Sequence, residues 1–153
     1  MKVLTIASIV VSVAATTSSA QQVKPENQIK YRKAAYTLMN LNFGGLAAMA
    51  EGKRPFNRDE AARHADFVAM LATVPKGFFG EGTSKDTAKD TRAKPEIWTK
   101  RPDFDAKMEK MVSEAAKLPA AARSGDMEGF KKQVGDTAAA CKACHDDYRI
   151  KSE

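Results

Sequence analysis

Apolar side chains return at three- and four-residue steps along most of this chain, the period an α-helix needs to bury one face. From about Pro25 to Ala50 the series is Ile29, Arg32, Tyr36, Met39, Phe43, Leu46 and Ala50, with Arg32 the polar exception. Pro25 suits a first helical turn, where its missing N–H costs nothing, and Gly52 and Pro55 end the segment. A second segment starts at Asn57, a good N-cap residue, and Glu60 three positions on would complete a capping box. Its stripe is Ala61, Ala65, Val68, Leu71 and Ala72, and Pro75 stops it. A third begins near Asp103 and places Phe104, Met108, Met111, Val112, Ala115 and Leu118 on one side, with Pro119 expected to kink or end it. Ser124-Gly125 is a break. Asp126 then caps a fourth segment running to about Ile150, in which Phe130, Val134, Ala138, Cys141, Cys144/His145 and Tyr148 share a face. Four such helices predict an all-α fold, an antiparallel four-helix bundle. Residues 75–102 form a long irregular connection of a kind that often carries function. Phe78, Phe79, Ile97 and Trp98 within it are expected to fold back onto the core.

The first twenty residues look removable. Lys2 is followed by a mostly apolar run from Val3 to Ala15, then by the small and polar Thr16 to Ala20. Ser18 and Ala20 sit where a signal peptidase favours small side chains. The pattern predicts a signal peptide over residues 1–20, cleavage before Gln21, and one domain over 21–153. The apolar run is too short to span a bilayer and nothing later resembles a span, so the mature protein is expected in the periplasm without a membrane partner. The 25 Lys and Arg outnumber the 19 Asp and Glu, giving a net charge of +6. Those cations are spread along the chain. No basic block is interleaved with aromatic residues, so nucleic acid is not an expected partner.

One short motif carries chemistry: Cys141-Lys142-Ala143-Cys144-His145. Cys-x-x-Cys-His is the attachment signature for haem c. Positions i and i+3 of a helix share a face, so each thiol can bond one haem vinyl group. The next residue brings an imidazole over the porphyrin to ligate iron. Three other uses of the cysteines are conceivable. A structural disulfide is one, although helical Cys pairs at this spacing are usually redox-active or metal-bound. A thioredoxin-like site would sit at a helix start after a strand, whereas this motif lies late in a striped helix. A zinc site needs four ligands, and His145 follows Cys144 too closely for both Cys and both His to converge.

The layout resembles cytochrome c′, the four-helix class of c-type cytochromes. In most small cytochromes c the motif lies near the N-terminus with a methionine ligand far downstream, and too few residues follow His145 for that. The resemblance covers nearly the whole mature chain: Lys24-Pro25-Glu26, Tyr31-Arg32, Thr37-Leu38-Met39, Phe79-Gly80, Gly82-Thr83, Pro95-Glu96-Ile97-Trp98, and Gly135-Asp136 leading into Cys141 to Arg149. It implies a left-handed bundle holding one covalent haem c, a homodimer through the outer faces of the first two helices, and an unidentified redox partner. Lys76 and Pro119 depart from the family pattern; Lys76 stands where an aromatic is often found.

The iron's second axial position decides function. The resemblance implies that no protein atom fills it and that Tyr36 packs over that face. An open apolar face admits neutral NO and CO, while anions would have to shed their hydration. Five-coordinate, largely high-spin iron that binds NO or CO and can transfer electrons is therefore expected. The alternative is a low-spin electron-transfer cytochrome with Met39 as sixth ligand; His64, Met49, Met70, Met108, Met111 and Met127 are weaker candidates. No nucleophile–base pair marks an enzyme, though a weak haem-dependent activity stays open. The resemblance also places Arg149 beside His145, Arg32 on a haem propionate, and Lys33 and Glu96 along the propionate edge.

Overall fold

The computed structural model describes residues 23–151; the leader and its cleavage point lie outside them. Helix α1 spans Pro25–Ala50, with proline in its first turn as expected. It stops where Gly52 takes a positive φ of 71° and Lys53 N–H donates back to Ala48 O at 2.9 Å, a backbone turn that favours glycine. Helix α2 spans Arg58–Ala72, and Asn57 Oδ1 accepts from Glu60 N–H at 2.9 Å. The capping box is only half made, because the Glu60 carboxylate turns instead to Arg54 Nη2 at 2.7 Å. A charge-assisted pair outcompetes a bond to a neutral amide.

A short α3, Glu96–Thr99, precedes α4, Arg101–Ala115, which begins two residues before the sequence predicts and carries Pro102 in its first turn. Pro119 acts as expected. It has no N–H to give Ala115, so α4 ends at Ala115 and α5, Leu118–Ser124, restarts with the proline in its first turn. Gly125, at φ 79°, ends α5. Helix α6, Met127–Tyr148, follows, and Asp126 Oδ1 accepts from Glu128 N–H at 3.1 Å. Helices α1 and α2 pack together, α2 meets α5, and α4 meets α6. The result is an antiparallel four-helix bundle whose third member is α4 and α5 in sequence. Leu46, Ala61, Val68, Phe104, Met108, Leu118 and Phe130 are buried between these helices. Among the described residues no helix is long and apolar enough to cross a membrane.

The connection after α2 is tightly tied down. It opens with a 3-10 turn, Pro75–Phe78, and buries Phe79 and Ile97 as the sequence predicts. Trp98 Nε1 donates to Gly80 O at 3.2 Å. Gly80 N–H donates to the buried Gln28 Oε1 at 2.9 Å, and a side chain on Gly80 would put its Cβ 2.6 Å from that oxygen. Lys76, where an aromatic was the family expectation, pairs with Glu109 at 2.7 Å. The far end of the connection is stitched to the end of α6: Lys94 N–H donates to Tyr148 O at 3.0 Å and Ile150 N–H to Arg92 O at 2.9 Å. These bonds set the loop beside the Cys-x-x-Cys-His motif.

Candidate functional site

Cys141 and Cys144 sit in the last third of α6, one turn apart, as free thiols. Helical spacing aims both at a cavity of about 1090 Å³ between α1, α4, α6 and the loop. That volume is at the upper end for small-molecule and cofactor sites, about 300–1,000 Å³. Its inner wall is apolar, with Met39, Phe43, Val68, Phe79, Ile97 and Phe104 among the lining residues. His145 lines the same cavity from the more exposed side of α6. A large apolar chamber with two thiols and an imidazole on one helix fits a porphyrin bound through its edge and its metal.

The electrostatics separate this site from the other uses of two cysteines. Burial pushes both thiols up, Cys144 to about 11, whereas a reactive redox cysteine needs a lowered value. Among the described residues no cluster of three or more His, Cys, Asp or Glu could hold a metal ion. His64 lies outside the cavity, with Nδ1 2.9 Å from Asn42 Oδ1. Burial, and secondarily the positive charge of Arg92, hold the His145 imidazole below its usual range. That favours the neutral form, the one that ligates metals.

Tyr36 and Met39 both line the cavity from α1, one turn apart. Tyr36 is half-buried, and its hydroxyl donates to Met108 Sδ at 3.7 Å. Burial drives the phenol pKa up, with the nearby thiols acting in the same direction, so the hydroxyl stays protonated. Met111 lines the cavity too. Met49 and Met108 are buried outside the lining, Met70 is exposed, and Met127 packs at the other end of the bundle.

Arg32 is the most heavily bonded side chain near the site. It is only 3% exposed. Nη1 donates to Phe78 O at 3.0 Å and Thr83 Oγ1 at 2.9 Å, and Nη2 to Thr83 O at 2.6 Å and Thr91 Oγ1 at 2.7 Å. Its guanidinium also stacks 4.4 Å from the Phe79 ring centroid. Burial lowers its pKa to about 10, which leaves it charged at neutral pH. Arg32 therefore fastens the loop to α1 as well as lining the cavity. Lys33 lines the cavity and pairs with Asp90 at 2.6 Å. Glu96 does not join them: it is exposed in the first turn of α3 and outside the lining.

Arg149 lines the cavity as the C-cap of α6, one turn beyond His145, and its N–H donates to His145 O at 3.1 Å. The helix ends at Tyr148, and Arg149 is extended, with φ −123° and ψ 131°, forming an isolated bridge with Ala93. The helical bond places Arg149 one turn beyond His145, and the loop's pairing with this extended residue adds a second tether. Two further features have no signal in the sequence. Thr83 and Thr91 are the buried partners of Arg32, and the Tyr148 hydroxyl donates to the Asp103 carboxylate across α6 and α4.

A family model described as Cytochrome C′ matches residues 27–149. The cytochrome c′ of Rubrivivax gelatinosus is 41% identical over 128 residues, covering 84% of this chain and 98% of that protein. The solved cytochrome c prime from Shewanella frigidimarina superposes with a TM-score of 0.79 at 38% identity, covering 84% of this chain and 98% of that one. A nitric oxide complex of a variant of cytochrome c prime from Alcaligenes xylosoxidans superposes at 0.77 with 35% identity, covering 86% and 100% of the two chains.

Proposed function

The chain belongs to the cytochrome c′ family, whose cofactor is haem c, and from that premise we propose that it is a periplasmic protein that binds NO or CO and can pass single electrons. Cys141 and Cys144 would hold the haem through thioether bonds and His145 would ligate its iron. The bound haem would supply an iron able to exchange one electron and to take a neutral diatomic gas. Tyr36 would shield the cavity on the side facing α1 and would have to move aside to admit the gas. Arg149 sits on the His145 side, where its charge bears on the ligand. Arg32 and Lys33 hold the propionate edge, with Arg32 also locking the loop. The single observation that carries the reading is the meeting of both thiols, the imidazole and Tyr36 on one large, mostly apolar cavity. Its redox and gas-binding chemistry calls for no catalytic residues, so the protein is not an enzyme in this reading.

Absorption spectra of the ferric, ferrous and CO-treated protein test it. High-spin, five-coordinate ferrous haem that shifts on adding CO is expected. A low-spin, six-coordinate ferrous spectrum without added ligand overturns it. The second reading, Met39 as sixth ligand in an electron-transfer cytochrome, has the support that Met39 lines the cavity one turn from Tyr36. Met39→Leu would then abolish a low-spin band.

A homodimer is part of the proposal. Leu38 and Leu41 on α1, Phe67 and Met70 on α2, and Val74 just beyond its end are large apolar side chains left 37–70% exposed. The three-residue step within each helix puts each pair on one outer face, the pattern a helix–helix interface uses. Export depends on the leader over residues 1–20.

A further inference from the structure

Among the described residues, half of the lysines and arginines are matched to a carboxylate. Arg54 meets Glu60, Lys76 meets Glu109, Arg101 meets Asp105, Lys107 meets Asp147 and Lys132 meets Asp136, all at 2.7–3.1 Å. Several of the others lie together at the rim of the large cavity. Its two carboxylates, Asp90 and Asp146, are each taken by a lysine of the same rim, Lys33 and Lys142. That leaves Lys85, Lys89, Arg92 and Arg149 lining the opening with no ion pair among the described residues. Lys85 Nζ reaches only the Lys89 carbonyl, at 3.3 Å. The bond from Ile150 N–H to Arg92 O and the Ala93–Arg149 bridge fix the backbone beneath them. A local excess of four positive charges is thus gathered at the mouth of the cofactor chamber. Two haem propionates would offset only part of it.

We infer that this rim is the docking surface for an acidic electron-transfer protein. The inference rests on the haem reading above, which puts the redox centre directly behind the rim. Four unmatched cations attract and orient a negatively charged partner, and exposed His145 lies within the same opening. The partner's reduced centre gives up one electron, ferric haem becomes ferrous, and no proton or third reactant is needed. A membrane surface is the less favoured occupant, because no exposed aromatic side chain lines this opening to anchor it in lipid.

The test uses haem-loaded protein and a plant-type [2Fe–2S] ferredoxin, an acidic one-electron donor. Two double reversals are compared: Lys89→Glu with Arg92→Glu on the rim, and Lys53→Glu with Lys131→Glu at the other end of the bundle, where both residues line a separate cleft. They change net charge equally. Calorimetric Kd for oxidised ferredoxin and the stopped-flow rate of haem reduction by reduced ferredoxin are measured at low salt. The rim pair should weaken binding and slow reduction by about tenfold or more, the lower end of electrostatic steering; the control pair should change either by less than about twofold. The difference should collapse near 1 M salt, where the Debye length is about 3 Å. Equal losses in both pairs overturn the inference, since net charge alone would then govern. So does rim-dependent sedimentation with phosphatidylglycerol vesicles alongside unchanged ferredoxin binding, which assigns the surface to a membrane. Haem absorbance per chain is read on all three proteins. A chain without haem defeats the cofactor reading by itself, while the Kd comparison still decides the surface.

Discussion

Truncating Tyr36 should open the iron to gas, and the size of the effect follows from its surroundings. The ring is half-buried among cavity residues, and among the described residues its hydroxyl bonds only Met108 Sδ, at 3.7 Å. Swinging a buried aromatic out of its contacts costs about 1.5–3 kcal/mol, and partial burial puts Tyr36 at the lower end. A barrier lowered by about 1.4 kcal/mol is a tenfold rate change. Tyr36→Ala should therefore speed CO association with the ferrous protein by about tenfold, measured by flash photolysis. Thioether sulfur is a weak acceptor, so Tyr36→Phe, which keeps the ring and loses the hydroxyl, should stay within about twofold of the parent rate. An alanine variant no faster than the parent, or a phenylalanine variant as fast as alanine, refutes steric gating by the ring.

Arg32→Met leaves two carbonyls, one of them fully buried, and two buried threonine hydroxyls short of a donor; it should cost about 2–4 kcal/mol in urea unfolding and release the 78–93 loop to faster amide exchange. Lys110, Gln133 and Lys117 hold the buried Glu114 carboxylate down at about 2. The unfolded carboxyl takes its proton near 4.5 and the folded one only near 2, so Glu114 contributes stability above that window and loses it as pH falls from about 4.5 to 2. Glu114→Gln should be less stable at pH 7 and show a shallower acid limb in thermal melts from pH 7 to 2; parallel pH profiles would contradict this. Leu41→Lys with Phe67→Lys should convert a sedimenting dimer to a monomer without altering the haem spectrum, and an unchanged sedimentation coefficient counts against the α1–α2 interface.

The helices were legible because their signals are local. Pro25, Asn57, Asp126 and Gly125 mark ends through backbone chemistry that a few neighbouring residues decide. The attachment motif was legible for the same reason, since five consecutive residues contain the spacing and the ligand types. Relations across the long connection were not. Nothing in the order of residues announces that Thr83 and Thr91 close on Arg32, or that the stretch after Arg92 pairs with the end of α6. That pairing gives Arg149 an extended backbone and a bridge to Ala93, although its N–H still caps the helix at His145 O. Glu60 shows the same limit on a small scale: its capping bond is lost to Arg54, a competitor outside the motif. Pro119 departs from the family pattern, yet its effect was foreseeable, because a missing N–H acts on the preceding turn in any fold.

The most direct test of the account is the intact mass of the secreted protein, made in a host that attaches haem, followed by the mass of the peptide containing Cys141 and Cys144. The prediction is a polypeptide beginning at Gln21 and heavier by one haem, with the added mass retained in acid on that peptide. A bare polypeptide mass, or haem that leaves in acid, would contradict it.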